Sequence, residues 1–286
     1  MKLSVVLAVK NEEKNLRLCL ESVKEIAEEI VIVDEYSTDR TVEIAREYGS
    51  RVFSNRHKYN FHESKQLAVE KARGEWILQL DADERVSSEL ADEIRQVIDM
   101  SYEQLRSRVI DVKKKRLFEK HQYLIEKRDG KLGKKTGEVA GFFIPRVNFF
   151  LGSPLIHAGV YPDGVIRLVK KGKARLPAKS VHEQFEVDGE VVWLSFDLEH
   201  HDSPTLKRYV LRMNRYTDLR AFDFKRENLR RNILNLLWYV SGKPLIVFLS
   251  MYIRHGGYKD GMRGFIWSFL SSLHFPIAYF KYWNVE

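Results

Sequence analysis

Residues 78–85 read Leu-Gln-Leu-Asp-Ala-Asp-Glu-Arg, an apolar run that stops at two aspartates separated by one alanine. If the run is a strand buried on both faces, its end delivers Asp81 and Asp83 to the edge of a sheet. In extended backbone, residues i and i+2 point the same way, so both carboxylates are expected to address one point. The small Ala82 is expected to leave room for a ligand. Hard oxygen donors of this kind select Mg2+ or Mn2+, ions that usually share their shell with substrate phosphates. An Asp-x-Asp pair also arises by chance and at helix caps, so its surroundings have to decide.

Upstream, the chain alternates regularly. "LSVVLAV" and "EIVIVDE" are continuous β-branched runs, as expected for parallel strands covered on both faces. "RVFSN" is short and strand-like, and "EWILQLD" is a further strand. Between them "NEEKNLRLCLESVKEIA", "STDRTVEIAREYG" and "FHESKQLAVEKARG" have helical spacing, the last two ending at Gly49 and Gly74. With "SSELADEIRQVIDM" the order is βαβαβαβα, which implies a mainly parallel sheet flanked by helices.

Ligands of such a sheet bind beyond the carboxyl ends of its strands. Those ends carry Lys10, Asn11 and Glu12, then Asp34 and Glu35, then Asp81, Asp83 and Glu84. So much acid at one edge repels itself unless a cation is present. No first turn contains Gly-x-Gly-x-x-Gly, and no P-loop occurs. A dinucleotide-dependent dehydrogenase or an NTPase is therefore not expected.

The composition is that of a globular chain of 286 residues, with a net charge of +8 and a pI near 9.3. The basic excess fits an anionic partner such as nucleic acid, a nucleotide diphosphate or acidic lipid, without choosing among them. A single cysteine, Cys19, excludes an internal disulfide framework; at an apolar helical position it reads as a buried structural thiol. The N-terminal apolar run is short, ends in Lys-Asn-Glu-Glu and has no small-residue cleavage site after it. It reads as a strand rather than a secretion signal, so a cytoplasmic chain is expected.

The second half changes character. Residues 106–135 hold 12 Lys and Arg against 4 acids and read as an inserted basic hairpin or helix pair. Such a segment is either a solvated face or a surface for anionic lipid or a phosphate-bearing acceptor. An α+β segment punctuated by glycine and proline follows. From Thr205 the chain is helical and aromatic, with two long apolar stretches. Gly242-Lys243-Pro244 is expected to split the first, and His274 with Pro276 to break the second. Aromatic residues interleaved with Lys243, Arg254, Lys259 and Arg263 favour helices lying in a headgroup interface over a packed subdomain or a membrane span. The expected segments are 1–100, a basic insertion 101–140, 141–204, and a helical region 205–286.

"SVVLAVKNEE", "IVIVDEYSTDRT" and "GEWILQLDADE" together resemble the family 2 inverting glycosyltransferases of GT-A fold, in the branch related to lipopolysaccharide-core glucosyltransferases. The likeness is strong over about residues 1–100 and weaker over 141–202. It implies an α/β nucleotide-diphospho-sugar transferase fold with a C-terminal membrane-associating helical region. By the same resemblance, Asn11 and Glu12 lie near ribose and base, Asp34 accepts from a uracil-type base, and Lys65 faces the nucleotide. Asp81 contacts ribose and metal, and Asp83 ligates Mg2+ or Mn2+ directly. Ala8-Val9-Lys10 stands where the family often has Pro-Thr-Tyr, and Tyr36 where a turn glycine is usual.

Inverting transfer needs a carboxylate to take the acceptor proton. The resemblance puts it in "SVHEQ", as Glu183, with Asp163 of "YPDG" as second candidate. His182 is either an orienting or a packed residue, His200 or His201 a further metal ligand, and Arg167 a phosphate contact or a strand-surface residue. The implied partners are a nucleotide-sugar donor, a lipid-linked or glycolipid acceptor and an anionic membrane surface at the cytoplasmic face, and not nucleic acid. Three other readings remain: a polyisoprenyl-phosphate glycosyltransferase, a nucleotidyltransferase, and a non-catalytic membrane-surface module on the same scaffold.

Overall fold

Apolar, β-branched runs flanked by amphipathic helices become the centre of a sheet. In the computed structural model, which describes residues 1–55, 61–177 and 184–284, every residue of β1 (Leu3–Val9) is buried. The chain continues through α1 (Leu16–Val23), β2 (Glu29–Asp34), α2 (Thr41–Glu47), β3 (Arg51–Ser54), α3 (His62–Lys71) and β4 (Trp76–Leu80). Then come β5 (Glu84–Val86), α4 (Ser88–Val97), α5 (Tyr102–Ser107), α6 (Val112–Asp129), β6 (Val139–Ile144), β7 (Arg146–Phe150) and β8 (Ser153–Leu155). Strands β9 (Val165–Lys170), β10 (Ala174–Arg175), β11 (Glu186–Val187), β12 (Glu190–Trp193) and β13 (Leu198–Ser203) precede the C-terminal helices.

The chain divides into two units, 1–146 with 162–200, and 147–161 with 201–286. The first holds a seven-stranded sheet in the order β12-β6-β9-β4-β1-β2-β3. β1 pairs in parallel with both β2 and β4, Val9 opposite Asp34 and Leu7 opposite Leu80, so the acid-bearing ends emerge together. β9 runs antiparallel between β4 and β6, so the sheet is mainly but not wholly parallel, as expected. One core lies on each face: Leu7, Leu16, Leu20, Ile32 and Leu78 on one side, Val6, Val31, Ile77, Phe118 and Trp193 on the other.

The basic insertion is a helix pair, α5 and α6. α6 starts at Asp111, whose carboxylate accepts from the Lys113 and Lys114 amides, and stops at Gly130, whose φ of 88° suits glycine. Phe118 and Ile125 on its inner face are buried, so the insertion is built onto the sheet unit and is not a free appendage. Trp193 lies between Phe118 and Phe143, stacked on each at 4.4 and 4.7 Å.

The second unit pairs β7 with β8 antiparallel, Asn148 opposite Leu155. Its helices are α7 (Leu206–Arg226), α8 (Ile233–Leu237), α9 (Lys243–Leu249) and α10 (Gly261–Trp283). Phe224, Tyr239 and Tyr279 form its aromatic core, with Tyr239 and Tyr279 stacked 5.3 Å apart. The expected break at Gly242-Lys243-Pro244 does not occur. A π-helical turn over Trp238–Gly242 lets the Lys243 amide donate to the Trp238 carbonyl, and Pro244 falls at the start of the next turn, where its missing N–H does little harm. Likewise α10 runs through Pro276. Helix 233–254 is thus 22 residues with a mean hydropathy of 1.5, and its apolar window is unburied. Among the described residues it is the one helix long and apolar enough to cross a membrane.

Candidate active site

The loops after β1 and β2 are tied to each other through Asn11 and Glu12. The Asn11 Oδ1 accepts from the Thr38 amide at 2.8 Å, and its own amide donates to Ser37 Oγ at 2.9 Å. The Glu12 amide donates to Thr41 Oγ1 and its Oε2 accepts from Asn15. Asn11 sits at φ 54° and Tyr36 at φ 57°, the left-handed region in which asparagine is tolerated and tyrosine is strained. Tyr36 therefore keeps the turn conformation that a glycine would adopt freely, and leaves an aromatic ring half exposed beside the β2 end. Asp34 is buried; its Oδ2 accepts from the Ser37 amide at 3.1 Å, while Oδ1 has no hydrogen-bond partner among the described residues. A buried carboxylate oxygen without a donor is costly unless a ligand supplies one.

At the end of β4 the structure corrects the sequence reading. Residues 81–84 are not extended but form a turn, closed by the Glu84 amide on the Asp81 carbonyl at 2.9 Å. The two aspartates consequently serve different partners, and Ala82, expected to leave room for a ligand, is itself packed in the core. Asp81 faces Lys65 of α3, with which it makes a close ion pair, and accepts from Arg167 Nη2 at 2.6 Å. Beneath it the Cys19 thiol is fully buried and raised by desolvation, an inert structural group as expected.

Arg167 is not a surface residue. It is buried on β9 and divided among Gln79, Asp81 and Glu84, the last at 2.7 Å. Glu84 is fully buried and accepts in addition from Arg146 at 3.0 Å and from the Asp81 amide at 2.9 Å. Arg146 in turn holds Asp163 at 2.5 and 3.0 Å. Acid and base alternate through this chain, so each buried charge has an opposite neighbour. Burial pushes the Asp81 carboxyl up, but the Arg167 and Lys65 charges outweigh it and hold the group well below the usual carboxylate range. Sequence reasoning missed this network because Glu84, Arg146 and Arg167 are far apart in the chain; the one signal was that Glu84 follows the aspartates too closely to remain uncompensated.

Asp83 turns to the other side. β5 and β13 pair antiparallel with His200 opposite Glu84, and this brings His200 Nε2 to 3.7 Å from Asp83 Oδ1. Burial, with Arg146 adding to it, keeps the imidazole well below its ordinary value and therefore neutral. A carboxylate oxygen beside a neutral imidazole nitrogen is a donor set suited to a divalent ion such as Mn2+. The sequence paired Asp83 with Asp81; the structure pairs it with His200, one of the two histidines singled out.

Beside Asp81 a cleft of about 210 Å³ opens, lined by Lys65, Asp81, Arg128, Arg146, Asp163 and Gln184 among others. Asp163 is locked to Arg146. The loop that carries it is fastened to α6, where His121 Nε2 accepts from the Gly164 amide at 3.0 Å. Glu183 and His182 lie outside the described residues.

The family model of glycosyl transferase family 2 matches residues 4–150. The lipopolysaccharide core biosynthesis glycosyltransferase LpsC of Rhizobium meliloti (strain 1021) is 26% identical over 270 residues, which is 92% of this chain and 85% of that protein. An uncharacterized glycosyltransferase of Rickettsia bellii is 38% identical over 96 residues, only 34% of this chain and 32% of the relative. Among solved structures, residues 1–349 of S. aureus TarS align over 98% of this chain and 92% of that one at 14% identity, with a TM-score of 0.42, too slight a likeness to bear on the site. With just over half its length matching that family, across the strands that present Asp34 and Asp83, the chain belongs to glycosyl transferase family 2 and is a glycosyltransferase of GT-A fold.

Proposed function

We propose that the protein transfers a hexose from a nucleotide diphosphate, UDP by the nature of the β2 loop, to a hydroxyl of a glycolipid or lipid-linked glycan of the cell envelope, with inversion. The observation that carries the donor reading is Asp34: a buried carboxylate oxygen at a strand end with no donor among the described residues, where the N–H of a pyrimidine base would satisfy it. Asn11 and Glu12 hold the loop that forms the ribose side. Lys65 and Arg167 fix Asp81 in its ionised state, ready to accept a hydroxyl of the sugar nucleotide. The envelope context rests on the similarity to LpsC along nearly the whole chain.

Asp83 and His200 would hold Mg2+ or Mn2+. The mixed oxygen and nitrogen set favours Mn2+. Bound there, the ion supplies charge neutralisation for the departing diphosphate. Glu183 takes the acceptor hydroxyl proton as the oxygen attacks the anomeric carbon from the far side, through an oxocarbenium-like transition state. Asp163 is the poorer base, because its pairing with Arg146 favours the carboxylate and weakens its pull on a proton. Helix 233–254 and the aromatic residues near it would seat the second unit in a membrane interface, where such acceptors present their head groups.

The test is a thermal-shift screen of UDP-, GDP-, CMP- and dTDP-sugars with and without Mn2+. UDP-hexose with Mn2+ is expected to stabilise the protein, and Asp83→Asn to abolish the Mn2+-dependent part. Equal stabilisation with and without the metal sinks the role given to Asp83. The absence of stabilisation by any nucleotide sugar sinks the donor reading. Glu183→Gln is expected to suppress transfer to a sugar hydroxyl while leaving donor binding intact.

A further inference from the structure

The cleft beside Asp81 contains more positive charge than its own acids use. Four cations line it, Lys65, Arg128, Arg146 and Arg167, against two carboxylates, Asp81 and Asp163. Both carboxylates are already engaged, Asp81 by Lys65 and Arg167, and Asp163 by Arg146. Glu84 compensates Arg146 and Arg167 from behind. Arg128 is different. Its ion pair is with Asp129, the next residue in the chain, at 2.6 Å, and its side chain remains 60% exposed. An exposed pair of this kind is worth little and exchanges readily for a better anion.

Arg128 is also held in place. It belongs to the last turn of α6, where a cation is favoured by the helix dipole, and the helix ends directly after it at Gly130. α6 is fixed to the cleft wall at three points: Phe118 stacks on Trp193, Gln122 accepts from Trp193 Nε1 at 3.0 Å, and His121 accepts from Gly164. Gly164 cannot be replaced without disturbing that contact, since a Cβ there would lie 2.3 Å from the Trp193 ring. The loop with Asp163 and the helix with Arg128 therefore form one rigid wall.

Asp34, Asp83 and His200, to which the base and the metal-bound diphosphate are assigned under Proposed function, are not among the residues that line this cleft, and Asp81 borders it from the donor side. The cleft is bordered instead by Asp163 and by Gln184, the neighbour of Glu183 in the chain. We propose that it is an acceptor subsite for an anionic group, a phosphate or a carboxylate on the acceptor glycan, and that Arg128 is the residue that reads it. This assignment rests on the donor and base positions given under Proposed function. The fork of a guanidinium suits either group through two parallel hydrogen bonds. It also gives the basic insertion a role at the site rather than only at a surface.

The experiment uses the full-length protein saturated with Mn2+ and UDP, so that the diphosphate site is filled, and titrates inorganic phosphate and, separately, acetate by calorimetry. Phosphate is expected to bind with UDP present, at least tenfold more weakly in Arg128→Gln, and with intermediate affinity in Arg128→Lys, which keeps the charge but loses the fork. Acetate binding more tightly than phosphate would point to a carboxylate on the acceptor, and the reverse order to a phosphate. Displacement of phosphate by UDP would show that the anion site is the donor site and overturn the proposal. So would equal phosphate affinity in wild type and Arg128→Gln. Failure of UDP with Mn2+ to bind at all is a separate result that overturns the donor reading.

Discussion

Neutralising Glu84 and neutralising Asp83 should have very unequal consequences for stability, although the two residues are neighbours in sequence. A row of strand-end acids read from sequence alone repels itself, and removing either charge then relieves the ligand-free protein. The structure separates the two. Glu84 is fully buried and takes hydrogen bonds from Arg146 at 3.0 Å, Arg167 at 2.7 Å and the Asp81 amide at 2.9 Å. Glu84→Gln preserves the shape but leaves two buried guanidinium groups short of one negative charge. Breaking a buried pair from one side costs about 3–5 kcal/mol. For a chain of this size that corresponds to a fall in melting temperature of roughly 6–10 °C, at about 2 °C per kcal/mol.

Asp83 is partly buried in the same turn and faces a neutral imidazole at 3.7 Å, a weaker partner than the buried guanidinium groups that hold Glu84. Asp83→Asn is therefore expected to change stability by less than about 1 kcal/mol in the absence of metal. Urea unfolding of both variants, in EDTA at pH 7.5, measures the contrast directly. A Glu84→Gln protein as stable as wild type would refute the reasoning, because the network would then not depend on the charge that joins its two arginines. Loss of more than 3 kcal/mol in Asp83→Asn would be equally damaging, since it would make Asp83 a structural counter-ion.

Three further outcomes are open to measurement. His200 and His121 are both held below their ordinary value of 6.5, chiefly by burial, so the folded protein resists a proton that the unfolded chain accepts. Stability should be constant above about pH 7 and fall as the pH drops below 6.5, by up to about 1.4 kcal/mol per pH unit for each group, with Asp81 adding a second loss below 3.8; a urea midpoint unchanged between pH 7.5 and 5.5 contradicts this. Tyr36→Gly should relieve about 1 kcal/mol of left-handed strain, partly offset by the freer unfolded chain, while weakening UDP binding several-fold if the ring stacks on the base; a melting temperature lowered by several degrees counts against it. Leu234→Arg with Leu245→Arg, at positions 73% and 58% exposed, should reduce sedimentation with anionic lipid vesicles, and a wild-type protein that stays in solution with such vesicles at low salt removes the interfacial reading.

The parts of this fold that could be read from sequence are those set by local periodicity. β1, β2 and β4 are unbroken apolar runs and α4 has a clear amphipathic stripe, so the half-sheet and its acid-bearing edge follow from spacing alone. Asp34 could be placed for that reason. The partner of Asp83 could not, because His200 reaches it through an antiparallel pairing of β13 with a three-residue strand that carries no periodicity of its own. The geometry of the doublet was misjudged for a related reason. Extending β4 through Asp83 treats strand period as continuing past its last paired residue, whereas Glu84 turns inward toward two arginines contributed from 62 and 83 residues further along the chain.

The two C-terminal corrections have the opposite cause. Glycine and proline are reliable breakers only when the helix has no other way to place its backbone donors. Here one π-turn over Trp238–Gly242 absorbs the missing donor of Pro244, and the helix continues to Arg254 with its apolar side outward. Sequence could mark the possible break but not the repair, since a π-turn depends on which carbonyl the next amide finds. The repaired helix is long enough to cross a bilayer as well as to lie along one, so length no longer separates the two. What separates them is charge: Lys243 stands midway along the helix, over the rings of Tyr239 and Phe275 at 5.1 and 4.5 Å, an arrangement that suits a headgroup interface better than a hydrocarbon core.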